Sequence, residues 1–199
     1  MNYMSIMEQD IVNTPGIHTV IWVSGCPHRC PGCFNSNAWD FNAGNEFTES
    51  TKQYILKNVG EDICDGLVVL GGEPLADNNK EDVTNLILEC KRRYPSKNIW
   101  VYTGYTYEEL LERNDTTINT CLNHIDVLVD GRFEEDKKSH SLKYRGSSNQ
   151  RIIDIPKTIN SDTIIIFDSD SDCVRENTTM LSLLVSHIKH MFGKKKKRQ

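Results

Sequence analysis

The 199-residue chain has no apolar run that approaches the length of a membrane span, and no basic and then apolar leader opens it. Neither a membrane-embedded nor a secreted protein is expected, and the predicted location is the cytoplasm. Positive charge is scarce outside the extreme end. Lys194, Lys195, Lys196, Lys197 and Arg198 account for five of the 23 basic residues; the other 18 face 28 acidic ones, so a formal charge of −5 for the chain becomes about −10 for its body. Such a body carries no electrostatic footprint for nucleic acid, and the tail is too short and too terminal to supply one. A disulfide framework is not expected either. Seven cysteines is an odd number, and a chain of this length can build a core without staples.

One further absence is local. Cys26, Cys30 and Cys33 form a C-x3-C-x2-C triplet in the run Ser24 to Asn35, directly after the apolar stretch Val20 to Val23. Ferredoxin loops use four cysteines per cluster in a C-x2-C-x2-C-x3-C order, and the fourth is missing here. Three thiolates can hold three irons of a cubane and leave the fourth iron open, which suits chemistry better than electron storage. Zinc is the competing reading, with His28 or a distant cysteine completing four ligands. It is the weaker one, since structural zinc prefers paired C-x2-C knuckles.

What remains is ordinary in make-up: 38% hydrophobic and 26% charged residues fit one globular domain. His18 to Val23, Leu67 to Leu70, Ile99 to Thr103 and Val127 to Val129 read as buried strands, each ending in a glycine or polar loop. Ser50 opens a predicted helix through Val59, with Gln53 at the capping-box position. Glu81 to Tyr94 places Val83, Leu86, Ile87, Cys90 and Tyr94 at helical spacing, and Tyr107 to Arg113 starts a third helix. Such alternation predicts an α/β fold with a mostly parallel sheet and its chemistry at the carboxyl ends of the strands. The informative motifs fall at those ends. Gly71-Gly72-Glu73-Pro74 comes after the second strand, where two glycines let a backbone come close to a ligand or simply make a tight turn.

The cysteine triplet resembles that of the radical S-adenosylmethionine (SAM) enzymes. Further runs narrow the likeness: Asp10 to Gly16, Tyr102-Thr103-Gly104-Tyr105, Val129 to Phe133, and Leu142 to Arg151 with its Arg-Gly-Ser-Ser-Asn-Gln-Arg core. In order and with short loops between, these resemble the motif series of the activating proteins of anaerobic (class III) ribonucleotide reductases, over roughly residues 3 to 155. The resemblance implies an open partial (β/α) barrel of the radical SAM type. It also implies that Cys26, Cys30 and Cys33 hold a 4Fe-4S cluster whose open iron binds the SAM amino and carboxylate groups. An electron from a reduced flavodoxin-like donor would split SAM into methionine and a 5′-deoxyadenosyl radical. That radical would take a hydrogen atom from a glycine of the reductase large subunit. An activase for another glycyl radical enzyme, such as pyruvate formate-lyase, is the nearest alternative, and a non-catalytic zinc-binding module the other.

By the same resemblance, Gly71, Gly72 and Glu73 form the loop that meets the SAM amino group through its backbone, with Glu73 orienting the loop or capping the structure after it. Phe34 stands where the family has an aromatic residue, beside the adenine or in the core, and Gly32 and Cys33 offer backbone groups there. Thr103 and Gly104 reach SAM or make a structural turn. Arg145 and Arg151 flank a donor-rich loop that could clamp a carboxylate, meet the partner, or form a local turn. Asp130 accepts a buried hydrogen bond or ends a strand, and His28 reads as a solvated loop residue. Cys64, Cys90, Cys121 and Cys173 read as core or incidental thiols. The expected organisation is an activase domain over 1–155, an extension over 156–193 and a basic tail over 194–199. The extension would hold a strand at Ile164 to Phe167 and a helix from about Thr179 to Phe192, with Leu181, Leu184, Val185 and Ile188 on one face. Between them, the acidic run Asp168 to Asp172 lacks the glycine and closing glutamate of an EF-hand and reads as a solvated loop.

Overall fold

Period-2 alternation of aliphatic side chains gives this chain's sheet two buried faces. The computed structural model describes residues 1–161 and 163–168, and Met1–Phe167 forms one compact unit. Seven strands, Asn2–Asp10 (β1), His18–Val23 (β2), Asn45–Glu46 (β3), Gly66–Gly71 (β4), Asn98–Tyr102 (β5), Val127–Asp130 (β6) and Arg151–Asp154 (β7), make one sheet in the order β3-β1-β2-β4-β5-β6-β7. The four central strands β2, β4, β5 and β6 are parallel; β1 and β7 flank them antiparallel, and β3 pairs antiparallel with β1. The expected α/β class is present, as a mixed sheet with a parallel centre.

Five α-helices are described in the unit: Glu49–Val59 (α1), Lys80–Arg93 (α2), Tyr107–Glu112 (α3), Thr116–Leu122 (α4) and Ile155–Ile159 (α5). Val23, Val69, Val101 and Leu128 belong to the same buried cluster as Leu56, Leu86, Leu110 and Ile118 of the helices. Their strand neighbours Val20, Val68, Leu70, Trp100 and Val129 point to the other face, where Trp22, Tyr102, Tyr144 and Phe167 pack on them. Each fully buried aliphatic contributes roughly 1.5 to 3 kcal/mol.

The four predicted strands and three predicted helices are all present, with boundaries shifted by a residue or two. The capping box of α1 is not where it was expected: Thr48 is the cap, accepting from the Thr51 amide, while Gln53 donates to Glu49 at 2.6 Å. Ile164 to Phe167 does not form a full strand. It makes one antiparallel bridge, Ile166 to Ile153, with Asp154 N donating to Ile165 O at 2.9 Å and Phe167 N to Ile152 O at 2.8 Å. The helix from about Thr179 to Phe192, the acidic run beyond Asp168 and Cys173 lie outside the described residues.

Candidate functional site

The loop after β2 is coiled by left-handed residues. Gly25 (φ 86°), Arg29 (φ 48°) and Gly32 (φ 69°) punctuate it, and a Cβ on Gly25 would lie 1.9 Å from the Phe41 ring, so only glycine fits there. Its base is pinned by Gly25 N donating to Ala38 O at 2.7 Å and Cys26 N to Trp39 O at 3.1 Å. Cys26 is buried, while Cys30 and Cys33 are partly exposed. Burial pushes the Cys26 thiol up to about 11, against the opposing pull of the His28 and Arg29 backbone amides. Burial also raises Cys30, opposed by the Phe133 amide and the Arg132 charge. Thiolates here need a cationic partner, and loop amides already face the sulfurs that would carry the charge.

The Gly-Gly-Glu loop docks straight onto this coil. Gly72 N donates to Val23 O at 2.8 Å and Glu73 N to Gly25 O at 2.7 Å. Gly71 has the left-handed φ of 113°; Gly72 is glycine for a different reason, since a Cβ there would sit 2.5 Å from the Gly25 carbonyl. The Glu73 carboxylate is fully buried and accepts four hydrogen bonds. Oε1 takes Leu75 N at 2.9 Å and Thr103 Oγ1 at 2.8 Å; Oε2 takes Gly104 N at 2.7 Å and faces His28 Nε2 at 2.9 Å. Asn79, ahead of α2, adds a clamp by donating to Ser24 O at 2.8 Å and to Glu73 O at 2.9 Å. Three loops from three strand ends are thus tied to one carboxylate.

They open on one cavity of about 440 Å³, within the range of small-molecule sites (roughly 300 to 1,000 Å³). Cys26, Cys30, Cys33, Phe34, Gly71, Gly72, Thr103 and Gly104 line it, joined by Trp22, Leu70 and Tyr102 from the sheet face. Of the candidate residues, Gly32 and Glu73 do not line it: Glu73 lies behind the wall, and a Cβ on Gly32 would meet the Glu135 carboxylate at 2.6 Å. Phe34 is two-thirds exposed, so it is no core residue. Its ring meets Phe133 edge-on at 5.8 Å and carries the Lys138 ammonium at 4.4 Å. Burial pushes the Tyr102 phenol up, and its hydroxyl hydrogen-bonds Asn13 O and Tyr144 O, which holds the loop after β1 and the 144–150 loop against the cavity.

The donor-rich loop divides in two. Arg145 lines the cavity and donates to Gln150 O at 2.7 Å, while the Gln150 side chain accepts from Gly146 N at 2.8 Å and Ser147 N at 3.1 Å. Arg151 points elsewhere, to buried Asp130 at 3.0 Å and to Glu108 at 2.9 and 2.6 Å. Asp130 also accepts from Tyr107 N at 2.8 Å, which seats α3 on β6. The Arg151 guanidinium holds the Glu108 carboxyl at about 2. A carboxylate depressed in this way stabilises the fold above its ordinary titration range near about 4.3 and loses that contribution as pH falls toward about 2. Denaturation of the parent chain and Glu108→Gln is therefore expected to differ by roughly 1 kcal/mol or less at neutral pH, this pair being half-exposed, and to converge by pH about 2.

Residues 12–153 match the family model described as a 4Fe-4S single cluster domain. Among curated relatives, the anaerobic ribonucleoside-triphosphate reductase-activating protein of Pasteurella multocida (strain Pm70) is 42% identical over 154 residues, covering 76% of this chain and 96% of the relative. Its namesake from Escherichia coli (strain K12) is 40% identical over 152 residues, covering 75% and 96%, and that of Enterobacteria phage T4 is 37% identical over 152 residues, covering 76% and 93%. The chain belongs to the family of anaerobic ribonucleoside-triphosphate reductase-activating proteins.

For a member of the reductase-activating family, the three-cysteine loop is the feature a 4Fe-4S group must fit, and the donor set suits it. Three thiols come from one coiled loop and line one cavity, and those of Cys26 and Cys30 meet backbone amides. Among the described residues no three His, Cys, Asp or Glu side chains converge on a single-ion point, so the fit rests on the loop and the cavity. Cys64, Cys90 and Cys121 are free and buried, as core thiols should be, and burial pushes Cys90 to about 11 and Cys121 to about 12. His28 corrects the sequence reading: its side chain is only 5% exposed and is held by Glu73. Also missed were Trp22 and Asn79, while Arg132 stood within the Val129 to Phe133 motif without an assigned role. Trp22 was legible as part of an apolar strand, whereas nothing local marks Asn79.

Proposed function

We propose that the chain is a radical SAM activase, an oxidoreductase that cleaves SAM at a 4Fe-4S cluster and installs a glycyl radical on the large subunit of an anaerobic ribonucleotide reductase. The reading rests on one observation: the cysteine loop, the Gly71-Gly72 loop and the Thr103-Gly104 loop face a single cavity at the carboxyl ends of parallel strands. We take the sheet, whose end strands β3 and β7 do not pair with each other, as the partial (β/α) barrel of that superfamily. The chemistry belongs to residues 1–155, with 156–193 and the basic tail 194–199 outside it.

Bound cluster and SAM supply the hard step, in which SAM, one electron from a reduced flavodoxin-like donor and a hydrogen atom from the partner's glycine give methionine, 5′-deoxyadenosine and the glycyl radical. The protein's own residues bind and orient. Cys26, Cys30 and Cys33 hold the irons. Gly72, with no Cβ to strike the Gly25 carbonyl, lets its loop seat on the cysteine loop and offer backbone to the methionine end, and Thr103 and Gly104 continue that wall from the neighbouring strand end. Phe34 and Val12, on the cavity lining and both strongly exposed, offer apolar surface at the mouth, where the adenine and the partner's segment must enter. Among the described residues no helix is long and apolar enough to cross a membrane, and we place the protein in the cytoplasm.

Two experiments test this. Anaerobic incubation with the cognate large subunit, SAM and a reductant should produce a glycyl radical signal by electron paramagnetic resonance, and none when the partner's radical glycine is alanine. Activation of pyruvate formate-lyase in place of the reductase would move the protein to the alternative activase class, and a colourless, zinc-loaded chain would end the activase reading. Second, Gly72→Val drives a branched side chain into the Gly25 carbonyl, 2.5 Å from its Cβ. Overpacking of that kind costs on the order of 1 to 3 kcal/mol of stability and pushes the Gly71-Gly72 loop off the cysteine loop, so a lower melting temperature and weaker SAM binding are expected. Equal affinity in a folded Gly72→Val chain would remove the contact.

A further inference from the structure

Both ring nitrogens of His28 are engaged, and their partners fix its tautomer. Arg132 Nε can only donate, and it lies 3.2 Å from Nδ1, so Nδ1 accepts and Nε2 carries the proton that goes to Glu73 Oε2 at 2.9 Å. No nitrogen is left over for an iron or a zinc ion. The ring is wedged as well, edge-on to Tyr105 at 4.5 Å, and Tyr105 in turn lies under the Arg113 guanidinium at 4.9 Å. Gly104 belongs to the same lock. It has no left-handed φ, yet a Cβ there would sit 2.4 Å from His28 Cδ2 and 2.8 Å from Nε2. It is glycine because the imidazole occupies the side-chain space.

We propose that His28 is a positioning residue: through Glu73 it locks the cysteine loop in register with the Gly71-Gly72 and Thr103-Gly104 loops. The proposal rests on the activase reading for its ligand, but the lock itself lies wholly in side chains of this protein. His28 is the member of the cysteine loop that grips Glu73 by a side chain; the loop's other bond to that residue is the backbone contact from Glu73 N to Gly25 O. A loop held by the backbone alone can pivot, and the three sulfurs would then move relative to the wall that receives SAM.

The test uses full-length, cluster-reconstituted chain and two readouts, SAM affinity by equilibrium dialysis and the rate of iron loss to a chelator. Asn at 28 reproduces Nδ1 but falls short of Glu73, whereas the Gln amide reaches the place of Nε2. Loss of a hydrogen bond to a buried charged group is expected to weaken SAM binding by roughly tenfold or more in His28→Asn and to speed iron loss; His28→Gln should recover most of both. Gly104→Ala should resemble His28→Asn, because its methyl displaces the ring. Combining Gly104→Ala with His28→Gln removes the 2.4 Å clash with the ring carbon but leaves the donor position 2.8 Å from the new methyl, so partial recovery of SAM affinity over Gly104→Ala alone is expected. A merely structural His28 would lower thermal stability in both substitutions and give no such rescue. Parental SAM affinity and iron retention in folded His28→Asn overturn the lock. So does absence of rescue in the double variant, which decides the matter even where His28→Asn does not fold. If the parent chain takes up iron but binds no SAM, the activase reading fails, and the rates of iron loss still judge the lock.

Discussion

Alanine in place of Cys26, Cys30 or Cys33 is expected to abolish the cluster, taking iron and sulfide content after anaerobic reconstitution from roughly four of each per chain to near zero. With three protein thiolates for a cubane, no spare cysteine stands by among the described residues. The other described cysteines, Cys64, Cys90 and Cys121, are buried, and Cys90 and Cys121 sit in the core between the sheet and the helices. Cys26 is the most exacting of the three positions, because it is the most buried and its thiol is pushed up to about 11. Metal binding must drive its deprotonation, so assembly should slow as pH falls. Cys90→Ala is the matched control. It removes a core thiol, costs on the order of 1 kcal/mol of stability, and should leave colour, iron content and SAM cleavage unchanged. An intact, active cluster in Cys30→Ala would sink the ligand assignment.

The parallel centre of the sheet was legible because strands buried on both faces must be apolar throughout, and Val20 to Val23 or Leu67 to Leu70 can be little else. β1 was not. Asn2–Asp10 is an edge-side strand with mostly exposed or half-exposed side chains, so its sequence shows no continuous apolar run. β7 was hidden in a different way, since Arg151–Asp154 completes a polar motif and pairs antiparallel where a parallel sheet was expected. Within the site, the cysteine triplet and both glycine loops were readable because ligand chemistry and close backbone approach restrict residue type locally. His28 was misread for the opposite reason. Its burial comes from Glu73, 45 positions away, and from Arg132, 104 away, and no local pattern encodes a partner at that distance. The requirement at Gly72 was found, and the close approach that imposes it is to the Gly25 carbonyl of the cysteine loop.

Glu73→Gln should have the second largest effect, because an amide has one acceptor atom where the carboxylate has two. If the new NH2 replaces Oε1 it confronts Leu75 N–H, 2.9 Å away, and if it replaces Oε2 it confronts Gly104 N–H, 2.7 Å away. Thr103 can rotate its hydroxyl to accept, but a backbone amide cannot. Either orientation leaves one buried N–H facing another, at a cost of roughly 1 to 3 kcal/mol. The charge-assisted bonds to the other donors weaken as well. Because Glu73 joins three loops, the loss should appear in two places: a lower thermal midpoint for the apo chain, and SAM binding weakened by about tenfold or more in the cluster-loaded one. Glu73→Asp keeps the charge but retracts the carboxylate by one methylene, so it should fail at Thr103 and His28 while still serving its own loop. Gln and Asp variants with the parent's melting temperature and SAM affinity would show that the carboxylate is dispensable and that backbone contacts alone hold the three loops in register.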